Sequence, residues 1–315
     1  MVVVGAGIAG VACARALADA GVPVRVVDRG RRIGGRMAVR TIDGRPVAIG
    51  ASYFTARDDR FVAVVDDWVA RGLAAPWTDT FHIADIEGIE GTTVGPIRYR
   101  APGGLRSLVE DLAAPLRVEH PYDVAEVGYV DDRPTVDGSP VRAVVLAVPG
   151  PQARDLLGDG LADVIAAAAG EWTPTLALYA CWDQRSWKDI DGVFVSDSPL
   201  LTWIADDGRR RGDDAAVLVA HSSALFAAAH LDDPEAATGP MLDEVRTVLG
   251  FAEEPRWTAV QRWSLARPLH ARAEPYFLGD ALVGLCGDGW GGRPRVEAAY
   301  LSGLELGEEL ARRLS

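Results

Sequence analysis

Three glycines spaced as Gly5-Ala6-Gly7-Ile8-Ala9-Gly10 directly follow the apolar run Met1–Val4 and open a stretch of helical composition, Ala9–Ala20, which Gly21 ends. In such a turn Gly5 permits the tight bend, Gly7 lets the backbone approach a pyrophosphate, and Gly10 allows close helix–strand packing. The helix start then offers unpaired N–H groups and a positive dipole end to the phosphates. Asp28 follows Gly10 by 18 residues, at the end of a second apolar run, Val22–Asp28, in which Pro23 is tolerated at the start. A carboxylate there accepts hydrogen bonds from a ribose diol. With strand, helix and acid all in place, a dinucleotide site is expected rather than a merely structural turn. The fingerprint does not separate FAD from NAD.

Two further segments carry chemistry. Asp28-Arg29-Gly30-Arg31-Arg32-Ile33-Gly34-Gly35-Arg36 puts a glycine pair and an arginine shortly after the acid. The glycines allow close backbone approach, and Arg36 can bridge a diphosphate by charge-assisted bonds. At the other end of the chain, Leu285-Cys286-Gly287-Asp288-Gly289-Trp290-Gly291-Gly292 leads from a strand into a helix starting near Pro294 or Arg295. Asp288 at the strand end is placed to bind a ribityl hydroxyl, and the helix dipole would face the N1–C2=O edge of a flavin, where negative charge gathers on reduction.

The elements that must position these residues follow from length and pattern. The chain has 315 residues, 49% of them hydrophobic and 24% charged, which fits two domains or one large α/β body at ~100–200 residues per domain. A core of that size excludes disorder and a disulfide scaffold. Helical spacing is read at Phe61–Leu73, Gly104–Leu112, Leu156–Ala169, Ala236–Leu249 and Arg295–Leu314, and a strand around Phe81. Residues 116–148 read as a β meander: Leu116–Val118, Val124–Val130, Thr135–Val136 and Arg142–Val148. Thr175–Trp182, Leu200–Ala205, Ala216–Ala220 and Trp257–Trp263 read as strands of another sheet, and Ala281–Cys286 as a final strand. Because the two glycine-rich turns lie at opposite ends, the cofactor domain is expected to be discontinuous. The prediction is an α/β fold with a Rossmann-type domain over 1–54, 102–150 and 278–315. An inserted β-sheet-based substrate domain takes 55–101 and 151–277.

Several classes drop out. Cys13, Cys181 and Cys286 are far apart with no CxxC, and His82, His120, His221, His230 and His270 show no HxH or HExxH spacing, so no metal is expected. The formal charge of −13 argues against nucleic acid as a partner. Arg209-Arg210-Arg211 is read as a solvated loop. Apolar runs such as Ala143–Val148 are far shorter than the ~20 residues of a membrane span. Met1 enters the first strand directly, leaving no room for a signal peptide, and the chain is expected to be soluble and cytoplasmic.

Taken together, VVGAGIAG with CARAL, GRRIGGRMAVR, GASYFTARD and GDGWGGRPRVEAAYLSG resemble the flavin-containing amine oxidase superfamily, and within it the renalase-like branch. The resemblance runs the whole length and is thin across residues 151–256. It implies noncovalent FAD. Gly5, Gly7, Ala9, Gly10, Asp28, Arg29, Gly35 and Arg36 would hold the ADP part, and the backbone of Val124 the adenine. Gly287, Asp288 and Val296 would hold the ribityl chain and the pyrimidine edge. Two departures stand out. Ser52 replaces the usual glutamine of Gly-Ala-Gln-Tyr-Phe, and Leu265 the tyrosine of Trp-x-Tyr-Ala.

Many amine oxidases of the superfamily place a lysine near flavin N5, whereas the one lysine here, Lys188, sits in a segment (183–189) that reads as a polar hairpin. Renalase-like enzymes lack that lysine. The resemblance therefore implies an FAD-dependent oxidase that takes hydride from dihydro isomers of NAD(P)H and passes the electrons to molecular oxygen. No catalytic side chain is required, because the flavin carries the chemistry. The alternatives are a flavin amine oxidase or desaturase acting on another small metabolite, and a non-catalytic dinucleotide-binding protein. Ser52, Tyr53, Trp203, Trp263 and Trp290 are the candidate substrate-lining residues. Arg57, Arg60, Arg98, Arg100, Arg262, Arg267 and Arg272 in the inserted regions are the cations available to an anionic donor.

Overall fold

In the computed structural model, which describes residues 1–314, β1 (Val2–Val4), α1 (Ile8–Asp19) and β2 (Arg25–Val27) form a βαβ unit with parallel strands. A short 3-10 turn at Gly35–Met37 precedes the hairpin of β3 (Val39–Ile42) and β4 (Arg45–Ala48). α2 (Asp59–Ala70) leads into the long pair β5 (Ala75–Ala84) and β6 (Ile89–Arg100), and α3 (Arg106–Ala113) into β7 (Val118–Glu119). A small meander of β8 (Val127–Val130), β9 (Arg133–Val136) and β10 (Ser139–Pro140) precedes β11 (Val144–Leu146). α4 (Gly150–Leu156) and α5 (Ala162–Ala167) come before β12 (Trp172–Cys181), β13 (Gly192–Val195) and β14 (Leu201–Asp206). The short α6 (Asp207–Arg211) connects to β15 (Val217–Ser222), and α7 (Ala224–Ala229) and α8 (Thr238–Leu249) to β16 (Trp257–Pro268). β17 (Phe277–Leu278), β18 (Val283–Leu285) and α9 (Val296–Leu314) complete the chain.

The first sheet runs β17-β18-β11-β1-β2-β7 and is parallel except for β17. Its central strands, Val-Val-Val, Val-Val-Leu and Val-Gly-Leu, are buried at every residue, as expected when helices cover both faces. The parallel arrangement brings Gly5, Asp28, Ala147 and Asp288 to the same carboxyl edge, although they come from four distant parts of the chain.

The second sheet runs β16-β12-β15-β14-β13-β5-β6, antiparallel except where β13 meets β5. One face packs Leu176, Leu178, Ile204 and Leu218 against Met241, Val245 and Val248 of α8. The other face turns towards the first sheet: Tyr179 and Val219 pack on Val47 and Ile49, and Phe81 and Trp203 on Tyr53.

Several elements differ from the sequence reading. The expected meander over 116–148 is split: only β8–β10 pair that way, while β7 and β11 join the parallel sheet beside β2 and β1. Short apolar runs carry no information about their partners. Val124 lies in the loop before β8 rather than in a strand. The segment 183–189 is an irregular connection in which Trp187 is buried, not a hairpin. Two segments expected in the inserted region pack on the first sheet instead. Phe61, Val65 and Trp68 of α2 join α1 and α9, and Ala153 and Val164 of α4 and α5 cover β1, β11 and β18. Their apolar faces need that sheet for burial, which proximity in sequence does not reveal.

α1 and α9 touch backbone to backbone. A Cβ at Gly303 would collide with the Ala9 carbonyl oxygen, and one at Gly307 would lie 2.6 Å from that of Cys13. Gly303→Ala must push these helices apart, and we expect it to lower the unfolding free energy by at least about 2 kcal/mol, as measured by urea denaturation. Ala at the exposed Gly239, where a Cβ would meet nothing within 4 Å, serves as the control.

Candidate active site

The N-terminal turn has the geometry its glycines imply. Gly5 sits at φ +104°, and a Cβ there would lie 2.6 Å from the Ala147 carbonyl oxygen. Gly7 caps α1 with its backbone alone, so no side chain covers the first turn. Gly35, also at positive φ, faces it: a Cβ on Gly35 would come 3.3 Å from the Gly7 Cα, and one on Gly7 would meet only the Gly35 Cα, at 4.0 Å. The space over the helix start is thus walled by backbone. Ala9 and Gly10 are buried beneath it. Asp28 is anchored by the Ala6 and Gly30 N–H groups at 2.6 and 2.7 Å. Each of its oxygens keeps a further lone pair for a hydroxyl donor. Arg29 is exposed at the rim, and Val124 is buried beside Val27.

At the C-terminal turn Gly287 and Gly292 have positive φ and open space where a side chain would be. Asp288 does not face that space alone. Arg36 reaches it from 252 residues away with two parallel bonds, Nη1 to Oδ2 at 2.8 Å and Nη2 to Oδ1 at 2.6 Å. The same guanidinium donates to the Ala266 carbonyl and lies over the Trp172 ring, 5.1 Å from its centre. Arg36 and Asp288 were expected to meet different parts of a cofactor, and the structure ties them to each other. Val296 is the first residue of α9. The next residue, Glu297, is buried and accepts from the Arg57 and Asp58 N–H groups at 2.5 and 2.8 Å, holding the start of α2. Cys286 is buried in the core, and burial pushes its thiol up to about 12.

The expected substrate-lining residues separate into three groups. Ser52, Tyr53 and Trp203 come together: the Tyr53 ring lies 5.7 Å from Trp203 and 5.3 Å from Phe81, with Arg98 stacked on Phe81 at 4.0 Å. Gly192 makes room for the Trp203 ring, which a Cβ there would strike. Trp263 stands apart, its Nε1 donating to the Ile49 carbonyl at 2.7 Å. Leu265 lies nearby, where β16 slips register against β12, one residue from the carbonyl that Arg36 uses. Trp290 joins neither group. It stacks on Phe277 and under Arg272, behind the C-terminal turn.

The residues that sequence reasoning missed are mostly charged. Arg209–Arg211, expected in a solvated loop, belong to α6, where Arg210 and Arg211 are 4% and 6% exposed. Both bind the fully buried Asp207, which also accepts from Arg45 at 2.7 Å. The Asp207-x-x-Arg210-Arg211 spacing at i, i+3 and i+4 was the available signal. Burial alone would raise the Asp207 carboxyl, but Arg210, Arg211 and Arg45 outweigh it and hold it at about 2. Arg210 continues to the site, donating to the Ser52 carbonyl at 3.0 Å. Trp172 and Gly192 gave no signal, because the first lies outside the strand as read and the second acts only through the ring above it. Among the described residues no group of side chains could hold a metal ion, and no helix is long and apolar enough to cross a membrane.

Two glycine turns on one sheet edge, an anchored acid and a glycine-walled helix start define a Rossmann-type dinucleotide-binding fold. The profile of the NAD(P)-binding Rossmann-like domain matches residues 3–68, and that of the flavin containing amine oxidoreductases matches residues 68–305. The chain belongs to the flavin containing amine oxidoreductase family and is by class an FAD-dependent oxidoreductase. Putrescine oxidase from Kocuria rosea is 40% identical over 67 residues, a stretch that is 21% of this chain and only 14% of that enzyme. Cyclohexylamine oxidase from Brevibacterium oxydans IH-35A matches with a TM-score of 0.77 at 15% identity, over 99% of this chain and 98% of that one. Putrescine oxidase bound to putrescine gives 0.74 at 16% identity over the same shares. At these identities the likeness to solved structures is one of fold.

The backbone-walled space above α1 and the spare acceptor sites of Asp28 suit the ADP part of FAD. Arg36→Ala breaks the two-bond link that holds Asp288 in place, so the affinity for FAD should fall by about 10- to 100-fold, read by titrating the apoprotein with FAD and following flavin fluorescence. Asp207→Asn leaves the buried guanidinium groups without a counter-ion and should cost about 3–5 kcal/mol of stability. Because the folded carboxyl titrates at about 2 against an ordinary 3.8, its contribution is complete above about pH 4 and fades as pH falls towards 2. Urea midpoints taken across that range should drop steeply for the wild type and less for Asp207→Asn.

Proposed function

We propose that the chain oxidises dihydro isomers of NAD(P)H, with noncovalent FAD as hydride acceptor and molecular oxygen as the final one, as in renalase-like enzymes. The observation that carries this reading is the charge around the Tyr53 cluster. Arg98, 6% exposed, spends its guanidinium on the Asp79 carbonyl and on the faces of Phe81 and Tyr53 rather than on a carboxylate. Arg210 flanks the other side at the Ser52 carbonyl. Two buried cations make this wall unfavourable to an ammonium substrate and suited to a neutral or anionic donor. The protein carries −13 overall, but net charge governs steering at a distance and not the sign of one pocket.

Other features support the same reading. Lys188, the one lysine, is exposed, and its neighbour Trp187 packs on the α8 side of the second sheet, away from Tyr53. Attachment of the flavin without a covalent bond agrees with the buried, protonated thiol of Cys286. In this reading Gly5, Gly7, Ala9, Gly10, Asp28, Arg29, Gly35, Arg36 and Val124 serve the ADP part of FAD. Gly287, Asp288 and Val296 serve its ribityl chain and flavin edge. Residues 1–54, 102–150 and 278–315 carry the cofactor, and the sheet of 151–277 supplies the wall, with 55–101 contributing to both. When bound, FAD supplies the hydride acceptor. The protein's part is to place the donor carbon and keep water away.

A second reading, oxidation of an amine, is favoured by the aromatic rings themselves, whose faces attract cations, and by the amine-oxidising relatives. Anaerobic mixing of the FAD-loaded enzyme with borohydride-treated NAD separates the two. We expect the visible flavin absorbance to bleach quickly with that mixture and slowly or not at all with ordinary NADH. Bleaching by putrescine or cyclohexylamine with no response to the dihydro isomers would replace the first reading with the second.

A further inference from the structure

We propose that Arg32, Arg40 and Arg106 form a binding site for the phosphates of the electron donor, separate from the place of FAD. The proposal rests on the dihydronicotinamide reading above, because a dinucleotide donor brings phosphates that need cations. Of the arginines in the inserted regions, Arg60 is paired with Asp58 and Glu305. Arg98, Arg100, Arg262 and Arg272 bind backbone carbonyls. Arg36 is taken by Asp288. Arg32, Arg40 and Arg106, by contrast, have no carboxylate partner among the described residues. Arg40 donates only to the Gln261 amide oxygen, at 3.1 Å, and the buried Nε of Arg106 has no partner at all.

The fold gathers the three beside the glycine pair. Gly34 is fastened to the N-terminal turn by its N–H, which donates to the Ala6 carbonyl at 2.9 Å. A Cβ on Gly34 would lie 3.0 Å from Arg106 Cγ and 3.5 Å from its Nε, so the Arg106 stem crosses that glycine. The turn into α3 also rests on β3, where a Cβ on Gly104 would lie 2.6 Å from a Val39 methyl. Arg106 thus lies against the segment that carries Arg32, two residues before Gly34, and Arg40, next to Val39. Burial first, then the charges of Arg32 and Arg40, push the Arg106 guanidinium below its ordinary value, against the opposing Glu110. Like charges this close repel unless an anion joins them. Guanidinium forks suit phosphate oxygens, which accept several charge-assisted bonds at once. The two glycines keep this site apart from that of FAD: a side chain on Gly35 would point at Gly7 and the start of α1, and one on Gly34 at Arg106. Arg32 and Arg40 are exposed, so a phosphate can arrive from solvent. Through Gln261, Arg40 also touches β16, the strand that carries Trp263 and Leu265.

Inorganic pyrophosphate tests the site itself. Calorimetry on the FAD-loaded protein should show binding that weakens as salt is added, and Arg106→Met and Arg32→Gln should each weaken it about tenfold. Met keeps the stem over Gly34, and Arg32 is exposed, so one variant stays readable if the other melts early. Anaerobic flavin bleaching then assigns the site to the donor. With borohydride-treated NAD, Arg106→Met should raise the half-saturating concentration about tenfold and leave the limiting rate unchanged. With borohydride-treated nicotinamide riboside, which has no phosphate, the variant should match the wild type. No pyrophosphate binding by the wild type, or undiminished binding by both variants, overturns the site and leaves the donor reading standing. A loss of FAD affinity in Arg106→Met, with pyrophosphate bound by the apoprotein alone, gives the cations to the cofactor and overturns their assignment to the donor. Pyrophosphate binding as expected, with no bleaching by either borohydride-treated compound, overturns the donor reading and that assignment with it.

Discussion

The backbones of α1 and α9 meet at Gly303 and Gly307, where any side chain would strike Ala9 or Cys13. This contact seats the C-terminal helix against the first helix of the chain and so fixes β18 beside β11 in the parallel sheet. The order of that sheet then lines up the turns after β1, β2, β11 and β18 along one edge. From there Arg36 reaches Asp288 with two short bonds. Without the helix contact, residues 5–36 and 286–296 would have no reason to share a site.

The second sheet divides its work between its faces. Towards α8 it is mostly apolar, with the buried Asp206 and Ser222 held by hydrogen bonds. Towards the first sheet it carries rings and a few polar atoms, and the hairpin of β3 and β4 with the segment up to Phe54 closes against it. The aromatic packing is not self-sufficient. It depends on Gly192 leaving room under Trp203 and on Arg98 lying across Phe81.

Charge links the two bodies. Asp207 gathers Arg45 from the hairpin and Arg210 and Arg211 from its own short helix, and Arg211 goes on to the Pro102 carbonyl while Arg210 goes on to Ser52. A buried carboxylate shared by several guanidinium groups leaves a positive field at its rim. That rim is the wall beside Tyr53. The network that clamps the sheets together therefore also sets the charge at that wall.

The local chemistry was legible in the sequence wherever one short segment contains all the parts of a device. The strand–glycine–helix turn at Gly5–Gly10, the acid at Asp28 and the strand of Val283–Leu285 running into α9 are such cases, because turn geometry and hydrophobic period depend on near neighbours. Partnership was not legible. Nothing local says that β7 and β11 leave the meander for the parallel sheet, that α2 packs on α9, or that Trp263 and Trp290 stand away from Tyr53 while His221 stands beside Trp203. The arginine run at 209–211 shows the difference most plainly. By composition it is a solvated stretch, and only the folded chain supplies the Asp207 carboxylate and the walls that bury it. The sequence by itself determined the glycine-rich turns and the helices they open, since backbone freedom and hydrophobic period act over a few residues. Tertiary structure alone decided which cations and rings meet, because burial and long-range pairing depend on the whole chain.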